Sequence, residues 1–111
     1  TIESVLAQTY KNIEYIIVDG KSTDNTLDII YSYGNKIHKI ISEKDTGIYN
    51  AMNKGISMAT GDYLIFLNSG DTLAGDRVFQ EIVYTGSQKK YDLIYGNVNL
   101  IDQGNVKRLI Y

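Results

Sequence analysis

The segment Gly61-Asp62-Tyr63-Leu64-Ile65-Phe66-Leu67-Asn68-Ser69-Gly70-Asp71 decides how the rest of the chain is read. Five consecutive apolar or aromatic residues, 63–67, give way to four small or polar ones, the last a carboxylate. The run is too short for an ordinary helix, and it predicts a strand buried on both faces, as in the middle of a parallel sheet. Open α/β sheets bind ligands beyond the carboxyl ends of their strands, so residues 68–71 mark a candidate site.

Working outward, strand and helix patterns alternate. Ile2, Val5 and Leu6 predict an amphipathic helix within residues 1–9, and the β-branched run 13–18 predicts a strand ending at Asp19-Gly20. A polar turn at 21–26 offers several N-caps for a helix that carries Leu27, Ile30 and Tyr31 and stops near Gly34. Residues 37–42 predict a further strand. Ile48, Met52, Ile56 and Ala59 form the apolar stripe of a helix over 48–58, with Gly61 as its C-terminal cap. Beyond Asp71, residues 78–84 have helical spacing ended by Gly86-Ser87, and 92–111 read as short strands at the sheet's edge around Gly96 and Gly104. The alternation implies an α/β domain: a mostly parallel sheet with helices on both faces and right-handed crossovers.

Composition narrows the function classes. With 43% hydrophobic and 22% charged residues in 111, the chain reads as one globular, soluble domain. A net charge of −2 argues against a nucleic-acid partner. No stretch approaches the roughly 18 apolar residues of a membrane helix. Cysteine is absent, which removes disulfides and thiolate metal sites, and the single histidine, His38, has no second histidine with which to share a metal. The start at Thr1, already inside a helix, suggests a piece of a longer protein.

Polar residues gather after three successive predicted strands: at 19–24, at 43–45 and at 68–71. In a parallel sheet these ends share one edge, which predicts that Asp19, Asp45 and Asp71 line a single crevice. Each cluster also has a plain structural reading. Ser22, Thr23 and Asp24 serve as helix caps, Asp45-Thr46-Gly47 as a helix start, and 68–71 as a turn. Tyr49, just after the Asp45 turn, is a lesser candidate for stacking on a base or sugar. The chain lacks Gly-x-Gly-x-x-Gly, Gly-Lys-Ser/Thr and Gly-x-Ser-x-Gly, which disfavours dinucleotide binding, P-loop phosphoryl transfer and a serine triad. A carboxylate-lined crevice remains, suited to a divalent cation that takes oxygen ligands and carries a diphosphate.

Gln8-Thr9-Tyr10, Asn12-Ile13-Glu14, Ile17-Val18-Asp19-Gly20-x-Ser22-Thr23-Asp24-x-Thr26 and Ala51-Met52-Asn53-x-Gly55 occur in that order. Ala59-x-Gly61-Asp62-Tyr63 and Phe66-Leu67-Asn68-Ser69-Gly70-Asp71 follow them. Together these blocks, across about residues 1–103, resemble the family 2 glycosyltransferases. The resemblance implies the Rossmann-like GT-A nucleotide-sugar fold over residues 1–111 as a single partial domain, its first strand lying ahead of Thr1 and its acceptor part beyond Tyr111. It implies a bacterial, metal-dependent transferase of hexosyl type in surface-polysaccharide biosynthesis, working on the cytoplasmic side near the inner membrane face. Such an enzyme moves a sugar from a nucleotide-diphosphate donor to a hydroxyl of an acceptor glycan or lipid-linked glycan, with inversion.

The donor-binding residues that follow are Asp19, Gly20, Ser22, Asp45, Asn68, Ser69 and Asp71. In the family, the acid after the second strand contacts the base or ribose. Asp19 matches the first of two acidic positions there, while the second is Gly20. The family's Asp-x-Asp motif holds Mg²⁺ or Mn²⁺. Here Asn68 and Gly70 stand where aspartate is usual, which leaves Asp71 as the metal carboxylate. The resemblance places the general base beyond Tyr111, so the isolated chain is expected to be inactive. Because a sheet without its first strand has an unpaired edge, the chain is also expected to self-associate. Two other readings stay open: a sugar nucleotidyltransferase sharing the sheet order, and a non-catalytic nucleotide-sugar-binding or assembly domain that has lost metal acids.

Overall fold

The structure, a computed structural model, describes residues 1–103 and the backbone of residues 105–109. The chain divides into two compact units, Asn12–Asn68 and the combination of Thr1–Lys11 with Ser69–Tyr111. In chain order the elements are α1 (Ile2–Leu6), β1 (Ile16–Asp19), α2 (Thr26–Ser32), a 3₁₀ turn (Gly34–Lys36), β2 (Lys39–Ser42), α3 (Ile48–Met58), α4 (Val78–Gln88), β3 (Val98–Asp102) and β4 (Asn105–Leu109). The α/β reading holds.

Within Asn12–Asn68, β1 and β2 pair in parallel, with Ile16 opposite Lys39 and Asp19 opposite Ser42. The β-branched residues Ile16, Ile17, Val18, Ile40 and Ile41 suit a half-buried pleated surface. The crossover uses α2 and the 3₁₀ turn, and it buries Ile30 and Ile37. Helix α3 packs against β1, where a Cβ on Gly55 would stand 3.7 Å from Val18 Cγ2. Its covered side is Ala51, Met52, Gly55, Met58 and Ala59, and Ile48 and Ile56 are about half exposed. The expected stripe is therefore rotated: a small residue at 55 lets the helix come close to the sheet, and that approach decides which face is inside. The helix also ends at Met58 with Ala59 extended, so Gly61 does not cap it.

An ion pair secures the other end of the strands. Lys39 Nζ lies 2.5 Å from Glu14 Oε1 and donates to the Met58 carbonyl at 2.7 Å, while Glu14 Oε2 accepts from Thr60 N–H at 2.8 Å. The lysine bond, aided by Thr60, holds the Glu14 carboxyl below its ordinary pKa. His38 lies just outside β2, and its Nδ1 accepts the Tyr15 N–H at 2.9 Å, a satisfied structural role.

In the second unit, the buried apolar residues are Val5 of α1 and Phe79 of α4. Helix α4 runs through Gly86 to Gln88 and does not stop at Gly86-Ser87. One interior glycine costs a helix only about 1 kcal/mol relative to alanine, and Phe79, Ile82 and Gly86 fall on its less exposed side. β3 and β4 form an antiparallel hairpin, Val98 opposite Leu109, which is a sheet of its own and not the edge of the parallel one. Gly104 and Tyr111 lie outside the described residues.

The largest departure concerns residues 63–67. They form no strand among the described residues, and Tyr63, Leu64, Ile65 and Phe66 are 47–53% exposed. An apolar extended segment becomes a strand only when a neighbour presents backbone N–H and C=O groups to it. The side chains carry the β signal, but among the described residues no strand joins this segment in a sheet.

Candidate functional site

The carboxyl ends of β1 and β2 carry the most highly organised polar cluster of the Asn12–Asn68 unit. Asp19 closes β1 and is 6% exposed. One carboxylate oxygen accepts the Ser22 hydroxyl, and the other accepts Ser22 N–H at 3.0 Å and the Ser42 hydroxyl at 2.6 Å. Burial pushes the Asp19 carboxyl up, but the bonds from Ser22 and Ser42 outweigh it and hold the group below its ordinary value. Asp19 therefore ties β1 to β2 and folds the 20–22 turn. It also stabilises Lys21 in the left-handed region (φ 67°), a conformation that costs a non-glycine residue about 1–2 kcal/mol.

Gly20 stands in this turn directly beneath the Asp45 carboxylate. A Cβ there would lie 2.7 Å from Asp45 Oδ2. Asp45 reaches this position from the loop between β2 and α3, where its Oδ1 accepts Gly47 N–H at 3.0 Å. Asp24 caps the next element, accepting Thr26 N–H at 3.0 Å and the Thr26 hydroxyl at 2.5 Å. Of the sequence candidates, Asp19, Gly20, Ser22 and Asp45 are thus brought together at one strand edge. Ser42 joins them, unanticipated; its signal was its register opposite Asp19, which only pairing reveals. Tyr49 is 78% exposed.

Asn68 closes this unit, while Ser69, Gly70 and Asp71 open the second stretch of the other one. There the loop 70–76 lies along α1. Thr1 Oγ1 accepts Gly70 N–H at 3.0 Å and donates to the Asp71 carbonyl at 2.7 Å. Ser4 Oγ accepts Leu73 N–H at 3.2 Å, and Gln8 Nε2 donates to the Gly75 carbonyl at 2.5 Å. Thr9 N–H donates to the Asp76 carbonyl at 2.7 Å. Thr1 at the N-cap, Ser4 within α1 and Gln8 just past its end thus bind successive backbone groups of the loop. These polar residues were visible in the sequence but were not assigned a role.

Gly70 has φ +93°, a region open to glycine and strained for aspartate. Of the two glycines that stand where the resemblance leads one to expect acids, 20 and 70, the backbone conformation itself calls for glycine at 70. The Asp71 side chain is exposed. Among the described residues no three of His, Cys, Asp and Glu gather into a metal-binding group. A Mg²⁺-type cation bound through one carboxylate plus substrate phosphates and water needs no such protein cage, and Asp71 fits that role.

The family profile described as "Glycosyl transferase family 2" matches residues 1–109. A PGL/p-HBAD biosynthesis glycosyltransferase of Mycobacterium bovis is 38% identical over 101 residues, covering 87% of this chain and 40% of that protein. The amylovoran biosynthesis glycosyltransferase AmsB of Erwinia amylovora is 33% identical over 119 residues, covering 99% and 40%. Glycosyltransferase GlyG of Streptococcus pneumoniae is 32% identical over 107 residues, covering 94% and 35%. The chain therefore spans about 40% of the length of the first of these relatives.

Proposed function

The chain belongs to glycosyl transferase family 2, and on that premise we propose that it supplies the donor-binding part of an inverting, metal-dependent glycosyltransferase of bacterial polysaccharide biosynthesis. The donor is a nucleotide-diphosphate sugar, and the acceptor a hydroxyl of a glycan or lipid-linked glycan. The observation that carries the reading is the ordered polar edge of Asp19, Ser22, Ser42 and Asp45 at the carboxyl ends of two parallel strands, where open α/β sheets take ligands. This edge receives the nucleoside. The loop bearing Asn68, Ser69 and Asp71 serves the diphosphate, with Asp71 as the carboxylate that holds Mg²⁺ or Mn²⁺. When bound, such a cation neutralises charge on the leaving diphosphate. Among the described residues no helix is long and apolar enough to cross a membrane; a peripheral cytoplasmic location fits the acceptor proposed.

The test is release of nucleoside diphosphate from a panel of UDP- and GDP-sugars by the full-length protein, with glycan and lipid-linked acceptors. Acceptor-stimulated release is expected. Silence across the panel would favour a non-catalytic binding domain, and formation of a sugar nucleotide from sugar 1-phosphate and nucleoside triphosphate would favour a nucleotidyltransferase.

The run of exposed apolar side chains Leu64, Ile65 and Phe66 supports self-association of the isolated chain. Its apparent mass in light scattering should rise with concentration. A constant monomer mass over a hundredfold range in concentration would contradict this.

A further inference from the structure

We infer that Asp45 is the residue that reads the donor's nucleoside, taking the place of the acid missing at position 20, and that Asp19 is a positioning residue. The inference deepens the donor-site reading above and rests on it.

A carboxylate has about four lone-pair sites. Three of those of Asp19 are taken by the Ser22 hydroxyl, the Ser22 amide and the Ser42 hydroxyl, and the carboxylate is buried. A nucleoside hydroxyl or N–H would have to displace one of these bonds or reach the remaining site of a residue 6% exposed. Asp45 differs. Its Oδ1 is used by Gly47 N–H, and its Oδ2 accepts no hydrogen bond among the described residues. That oxygen lies over Gly20, inside the space a side chain at 20 would occupy. An acid at position 20 and Asp45 in its present rotamer would therefore compete for this spot, and one of the two would have to swing aside. The chain keeps one acid at this spot and delivers it from the β2–α3 loop. An ionised carboxylate there accepts from ribose hydroxyls or from a ring N–H of the base, and a charge-assisted bond of this kind is the stronger sort.

A purely structural reading, in which Asp45 only shapes the start of α3, makes different predictions. Asp45→Asn keeps an oxygen for Gly47 N–H and removes the charge. In the full-length protein, affinities are measured for UDP, GDP and dTDP and for inorganic pyrophosphate. Asp45→Asn is expected to weaken the best-bound nucleoside diphosphate about tenfold while leaving pyrophosphate binding unchanged, with amide exchange at residues 20–22 as in the parent. Asp19→Asn is expected to speed exchange at 20–22. Gly20→Asp alone should lose nucleotide affinity, and the exchange Gly20→Asp with Asp45→Gly should recover most of it by returning the carboxylate to the same place. Unchanged nucleotide affinity in Asp45→Asn, or a parallel loss for nucleotide and pyrophosphate, overturns the inference alone. Failure of the parent protein to bind any nucleoside diphosphate overturns the proposed function as well.

Discussion

Gln8→Ala is expected to destabilise the unit formed by Thr1–Lys11 and Ser69–Tyr111 by about 3 kcal/mol. Gln8 is the most deeply buried side chain described, at 1% exposure. Its Nε2 donates to the Gly75 carbonyl at 2.5 Å and the Ser4 carbonyl at 3.1 Å, and its Oε1 accepts Phe79 N–H at 3.0 Å. The last bond serves α4, whose first N–H groups have no partner within the helix. Arg77, the N-cap residue, makes no side-chain cap bond. Gln8 thus does from a distance what a local cap does elsewhere. Truncation to alanine leaves the buried Phe79 N–H without its partner and opens a void, each worth about 1–3 kcal/mol. The checks are urea denaturation and hydrogen exchange at the Phe79 amide, which should lose protection. A change below about 0.5 kcal/mol with Phe79 still protected would show that the Gln8 bonds are dispensable.

Asp71→Ala is expected to lower sugar transfer by about a hundredfold or more while leaving the fold intact, the size seen when one charge-stabilising group is removed from an active site. The side chain is exposed and makes no packing contribution to lose, whereas its backbone carbonyl is held by Thr1. With one carboxylate in place of a pair, Mn²⁺ should bind weakly to the parent protein alone and more tightly once UDP is present, because diphosphate oxygens complete the ligand set. In Asp71→Ala that UDP-linked binding should vanish. Calorimetric titration of Mn²⁺ with and without UDP checks both statements. Tight Mn²⁺ binding without nucleotide, or UDP-linked binding that survives in Asp71→Ala, would place the cation elsewhere. Gly70→Asp offers no remedy, since φ +93° strains any side chain there.

The local elements were largely readable. Helix α3 was expected over 48–58 and is found at Ile48–Met58, and β1 and β2 fall inside the predicted runs. Periodicity and β-branching are local properties, and they survive folding where a partner element agrees. The failures share a cause. Residues 63–67 read as a buried strand because apolar character is local, while strand pairing depends on a neighbour that they do not meet among the described residues. The α3 stripe was misplaced because Gly55, weak in any hydrophobicity pattern, sets the closest approach to Val18. Gly86 read as a stop because glycine propensity is only a small term against a helix already packed on Phe79.

The site divides in the same way. By itself the sequence determined the family, the α/β class and the identity of the acids, since ordered blocks of residue types are written in the chain. Only the tertiary structure decided which partners those acids meet. Parallel register puts Ser42 opposite Asp19, and the resulting bonds occupy the Asp19 carboxylate. The β2–α3 loop brings Asp45 over Gly20 and turns an apparent vacancy into a filled position. Hydrogen-bond saturation and close approach are relations between segments distant along the chain, and no residue carries them alone.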